Sequence, residues 1–118
     1  MNYEDMSDFE VNKLVSSMVE FGDLIVTVND SNETVYLCEK DGLLSILPVG
    51  HFNPCNNPSD AWPIMNDSRI EIKRDTCQAH VSSYFNPEFA VHCRNDEKAT
   101  LRAAMICFLK MKDAENGN

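Results

Sequence analysis

The sequence predicts an α+β domain: an antiparallel β-sheet of about four to six strands packed against an N-terminal and a C-terminal helix. Three observations predict it. Apolar residues recur at helical spacing near both ends of the chain, they alternate with period two in between, and turn residues separate the alternating runs. The length of 118 residues sets the scale, because such a chain makes a single domain, here spanning 1–118, and buries enough surface to hold a core without disulfides or metal.

The first helix is marked at its start. Ser7-Asp8-Phe9-Glu10 has the form of a capping box, in which the Ser7 hydroxyl accepts from the Glu10 amide and Glu10 reaches back. Met6 and Val11 flank it as a hydrophobic staple. Val11, Leu14, Val15 and Met18 then share one face and Gly22 offers a stop, which predicts a helix over about 8–20. The period changes to two at Leu24-Ile25-Val26-Thr27-Val28, and Asn29-Asp30-Ser31-Asn32 is a turn. Thr34–Glu39 reads as a second strand, Asp41-Gly42 as a hairpin turn, and Leu43–Leu47 as a third strand closed by Pro48.

Residues 50–63 carry three prolines, three asparagines and the only tryptophan, and read as a loop in which Ser59 or Asp60 can cap a short helical turn. Two readings of this loop stand side by side. In one it is a structural lid: Trp62 plugs the core, which is the ordinary fate of so large an aromatic, and the asparagines satisfy backbone groups. In the other it is a recognition loop, with Asn53, Cys55, Asn56, Asn57, Asp60 and Trp62 forming an interaction surface.

Alternation returns at Arg69-Ile70-Glu71-Ile72-Lys73, with the isoleucines inward and Glu71 outward. Ala79–Phe85 and Glu88–Cys93 read as a hairpin turning at Asn86-Pro87. Asn95 or Asp96 can cap the last helix, whose face is Leu101, Ala104, Met105 and Phe108, with Trp62 expected close by. Ala103, Ile106, Cys107 and Leu109 extend that face around most of the helix, so it is buried within its own chain or against a second copy as a homodimer. Residues 113–118 read as a polar tail.

Composition narrows function. A formal charge of −9 and a scattered set of Lys and Arg argue against direct nucleic-acid binding, which depends on neutralising phosphates. No apolar run approaches the roughly 20 residues of a membrane span, and the acidic opening Met1-Asn2-Tyr3-Glu4-Asp5 is unlike an export signal. A cytoplasmic protein is therefore expected, and the sequons at Asn32 and Asn66 are chance matches. Five cysteines at irregular spacing fit reduced thiols in that compartment.

Candidate chemistry is thin. His51 with Cys55, Cys77 with His80, and His92 with Cys93 are the only pairs suggesting zinc, and no Cys-x-x-Cys accompanies them, so no metal is expected. Cys38 and Cys107 read as small core hydrophobes. Cys55 with one of the histidines is the sole candidate for a nucleophilic centre, without any recognisable catalytic signature around it. The four glycines, at 22, 42, 50 and 117, allow no phosphate-binding loop, and no cofactor is expected. The order helix, three strands, helix invites comparison with double-stranded RNA-binding domains, but those need a basic face and lack the additional strands.

Three blocks carry a family resemblance: Ser7–Lys13, Phe52–Ile64 with its Asn-Pro-Cys-Asn-Asn-Pro-Ser-Asp-Ala-Trp-Pro run, and Leu101–Met111. In this order the chain resembles the phage NinX family, small proteins of lambdoid phages and of prophages in enteric bacteria. Residues 23–49 and 68–94 match less closely, and Ala99-Thr100 stands where that family has Asn-Pro, which implies a different helix cap. The resemblance implies a phage or prophage origin and a bacterial cytoplasm. It brings no catalytic or ligand residues.

The expected function is accordingly that of a non-enzymatic accessory protein binding a host or phage protein. The first alternative is an acidic mimic of nucleic acid that occupies a nuclease or polymerase, which needs the nineteen carboxylates gathered on one face. The second is an enzyme built on Cys55 and a histidine.

Overall fold

The computed structural model describes residues 2–42 and 45–116, in an α+β architecture. Helix α1 spans Asp8–Met18, α2 Pro58–Asp67 and α3 Glu97–Glu115. The strands are β1 (Ile25–Asn29), β2 (Thr34–Asp41), β3 (Ser45–His51), β4 (Ile70–Arg74), β5 (Gln78–Ser83) and β6 (Val91–Arg94). Short 3-10 turns lie at Tyr3–Asp5 and Pro87–Phe89.

The strands are antiparallel throughout but form two three-stranded sheets, ordered β1-β2-β3 and β4-β5-β6, rather than one layer. The break falls at residues 52–67, where the chain leaves β3 and forms α2 before the fourth strand begins. Each terminal helix accordingly backs a different sheet. Helix α3 packs on β4, β5 and β6, α1 packs on β2, and the two helices pack on each other.

The capping box forms as the sequence requires, with the Glu10 amide donating to Ser7 Oγ at 3.1 Å and the Ser7 amide to Glu10 Oε1 at 3.3 Å. Val11 and Val15 are fully buried, whereas Met18, expected on the same face, is exposed at the helix end. Asn29 Oδ1 accepts from the amides of Ser31 and Asn32, closing the first hairpin. Gly42 follows β2 with a φ of +79°, a conformation that glycine adopts without the Cβ penalty. The expected start of the third strand, Leu43 and Leu44, lies outside the described residues. That strand does not end at Pro48. It continues to His51, with a bulge opposite Leu37 and Cys38. Proline is tolerated there because β3 is an edge strand and owes no N–H to a further neighbour.

Residues 58–63, expected as the end of a loop with at most a short helical turn, form α2 together with residues 64–67. Pro58 sits in its first turn, where no amide is needed, and Pro63 lies inside. The cap is Asn57, whose Oδ1 accepts from the Ser59 amide at 3.1 Å, and not Ser59 or Asp60. At the other end α3 runs through Asp113 to Glu115, where a tail was expected. Its cap is Asp96, which accepts from the Ala99 amide at 2.8 Å, so Ala99 and Thr100 lie inside the first turn.

The core centres on α3. Leu101, Ala103 through Leu109 and Met111 are all buried, against Val11 and Val15 of α1, Ile64 and Met65 of α2, and Ile70, Val81 and Val91 of the second sheet. The apolar surface that suggested a homodimer through this helix is thus covered by its own chain. No described helix is long and apolar enough to cross a membrane.

Candidate functional site

The segment Phe52–Asn57 is held by side chains of α1, one of which is held in turn by α3. Asn12 of α1 is buried; its Nδ2 donates to Asn53 Oδ1 at 2.7 Å, and its Oδ1 accepts from the Cys55 amide at 3.1 Å. Asn56 Nδ2 donates to Asn53 Oδ1 at 3.0 Å and to Asp8 Oδ2 at 3.2 Å. Arg102 of α3 donates to the other Asp8 oxygen at 2.7 Å and to the carbonyls of Glu4 and Met6. Asp60 accepts from the Asn53 amide at 2.9 Å. This polar knot closes the gap between α1, α3 and the segment, and its members satisfy one another; among the described residues no buried side-chain polar atom lacks a partner.

The knot separates the proposed loop residues into two groups. Asn53, Cys55 and Asn56 are bonded within the knot: Asn53 and Asn56 are half-buried, while Cys55 is fully buried, and burial, reinforced by the nearby Asp8 carboxylate, pushes its thiol up to about 12. That is the reverse of an activated thiol, which needs an electropositive, partly exposed setting. Burial also raises Cys93 and Cys107. Asn57 is exposed as a helix cap, and Asp60 is half-buried.

Trp62 departs from the lid reading. It is 55% exposed and does not plug the core. It stands on α2 and lines a groove of about 480 Å³ between that helix and β4, together with Met65, Ile70, Ile72, Glu71, Lys73 and Arg74. Helical periodicity explains the outcome, because Ala61, Ile64 and Met65 take the inward positions of α2 and leave Trp62 on the flank. Had α2 been read as a helix, that spacing would have placed Trp62 outside.

The remaining candidates do not assemble. His80 and His92 face each other across β5 and β6 with ring centroids 4.5 Å apart, while His51 packs on Tyr36 in the other sheet. Among the described residues no group of three or more His, Cys, Asp or Glu is arranged to hold a metal ion. A hollow of about 220 Å³ beside the knot is lined by Asp8, Asn12, Asn53 and Asn56, the groups already bonded to one another. Carboxylates occur on all three helices and on both sheets, and Glu4, Asp8, Asp30, Asp96 and Glu115 are engaged in ion pairs.

The fold and site define a small acidic α+β protein whose three most distinctive sequence blocks meet in space: Asp8 and Asn12 from the first, Asn53, Cys55 and Asn56 from the second, and Arg102 from the third. The chain belongs to the phage NinX family: the sequence profile of the family described as Bacteriophage P22, NinX matches residues 2–112, nearly the whole length. It is accordingly a phage or prophage protein. No curated protein and no solved structure matches the chain.

Proposed function

We propose that the chain is a non-enzymatic accessory protein that binds a host or phage protein, with Trp62 as the anchor of its binding surface. One observation carries this reading: the only tryptophan is half in solvent, on the wall of a groove floored by Met65, Ile70 and Ile72. A large aromatic left exposed beside an apolar floor is the kind of residue that dominates binding energy at protein interfaces. Asn57 and Asp60 lie on the same short helix and its cap, whereas Asn53, Cys55 and Asn56 support the site from within.

The test is quantitative affinity capture from phage-infected cells with the wild-type chain, Trp62→Ala, and Phe85→Ala as a control for an aromatic that is 59% exposed elsewhere. The expected result is a partner whose capture falls by about tenfold or more with Trp62→Ala and is retained by Phe85→Ala. Equal capture by all three overturns the proposal.

A further inference from the structure

We infer that the free edge of β4 beside α2 accepts an extended, carboxylate-bearing peptide segment of the partner as an added strand. The inference rests on the groove reading above and names its ligand.

The ladder between β4 and β5 fixes which backbone groups are free. The Tyr84 amide donates to the Arg69 carbonyl at 2.9 Å at one end, and the Asp75 amide to the Gln78 carbonyl at 2.8 Å at the other. Hydrogen-bonded pairs alternate along an antiparallel ladder, so Glu71 with Ser82 and Lys73 with His80 bond inward. The amides and carbonyls of Ile70, Ile72 and Arg74 therefore point away from β5. No further strand covers them, since β4 ends its sheet, and Ile72 and Arg74 make no backbone hydrogen bond outside the ladder among the described residues.

The groove follows this edge. It is lined by Ile70 and Ile72 from the inner face of β4 and by Glu71 and Lys73 from the outer face. A hollow over one face would meet alternate residues only, so this one runs along the strand margin. The ligand shape that satisfies a row of outward amides and carbonyls, and sets every second side chain toward Trp62, is an extended strand.

Charge selects its chemistry. Lys73 and Arg74 line the groove against the single carboxylate of Glu71. Neither cation is in an ion pair among the described residues, and Arg74 is held at 2.6 Å by the neutral Asn95. The apolar edge of the first sheet is a poorer host, because Pro48 has no N–H to offer and the bulge beside it breaks the run of groups.

Trp62 is the only tryptophan, so its emission in the full chain reports occupancy directly. The probes are acetylated peptides alternating Val with Asp, the same peptides with Lys for Asp, and the Asp peptides N-methylated at every second amide in either phase. The Asp peptide should shift the emission saturably and bind about tenfold tighter than the Lys peptide. One phase of N-methylation should abolish binding, and Lys73→Glu with Arg74→Glu should reverse the charge preference. Beyond the effect of Ile72→Ala, which removes the same side chain from the groove floor, Ile72→Pro also removes an outward amide without touching the ladder and should weaken binding about tenfold further. If that variant does not fold, the N-methylated peptides apply the same test to the wild-type chain.

Absence of a shift with the Asp peptide, equal binding of both charges, or indifference to N-methylation in both phases overturns the inference. If partner capture still depends on Trp62 in that case, the groove reading survives and only strand addition falls. A dimer in solution that Ile72→Pro converts to monomer would make a second copy the occupant and also overturn it.

Discussion

The second sheet lays Ile70, Val81 and Val91 on α3, whereas the first leaves Ile46, Leu47 and Val49 about half exposed on its edge strand. The two differ in charge as well. Residues 20–52 carry Glu20, Asp23, Asp30, Glu33, Glu39 and Asp41 against Lys40 alone; residues 69–94 set Arg69, Lys73, Arg74 and Arg94 against Glu71, Asp75 and Glu88. One sheet thus meets the core through Val35 and Leu37 of β2 and Val26 of β1 and is strongly acidic, while the other is backed by α3 along all three strands and is slightly basic. The lesson concerns edges. The first sheet exposes apolar side chains but blunts its edge with Pro48 and a bulge; the second buries its apolar side chains and leaves the β4 backbone available.

Substitutions can break this comparison, beginning with the largest effect. Met105 is fully buried at the centre of α3, and Met105→Ala should cost about 3 kcal/mol of unfolding free energy in denaturant titration. A loss no greater than that of a surface substitution would remove α3 from the centre of the account. Asn12→Ala leaves the buried Cys55 amide without its partner and takes one of two donors from Asn53 Oδ1, and should cost about 2 kcal/mol by the same measurement. On the other side of the comparison, Leu47→Lys on β3 should change stability by less than about 0.5 kcal/mol, because that side chain is already 51% exposed.

The docking of the N-terminal turn on α3 can be sharpened by pH. The Tyr3 hydroxyl donates to Asp113, and burial, followed by that bond and the carboxylate charge, raises its pKa from 10.0 to about 12. The neutral form is the one the fold favours, so the unfolded chain releases its proton first. Stability from this group is complete below pH 10 and is lost as pH rises toward about 12. Tyr3→Phe should remove this part of the alkaline decline in unfolding free energy; an identical decline in both proteins would contradict the assignment.

Much of this was legible in the residues. The capping box at Ser7, the face of Leu101, Ala104, Met105 and Phe108, and the alternation at Ile70 and Ile72 are local patterns, and each forms as its spacing dictates. What escaped is of two kinds. Helix α2 was hidden by Pro58 and Pro63, which act as breakers in most settings but here occupy the first turn and the flank of a short helix. With α2 unread, nothing local decides between Trp62 as a core plug and Trp62 as part of an interaction surface, and the division of the strands into two sheets has no visible cause. The polar knot escaped for another reason. Asn12 and Asn53 lie 41 residues apart, and Asp8 and Arg102 lie 94 apart, so no periodicity links them. The three blocks of family resemblance pointed to these residues without showing that they touch.

Amide hydrogen exchange read residue by residue along β4 of the free protein tests the account most directly. The alternation of the ladder predicts slow exchange at Glu71 and Lys73, whose amides bond to β5, and fast exchange at Ile72 and Arg74, whose amides face the groove. Protection of Ile72 and Arg74 equal to that of their neighbours, in a chain shown to be monomeric, would mean that the edge is already covered and would contradict it.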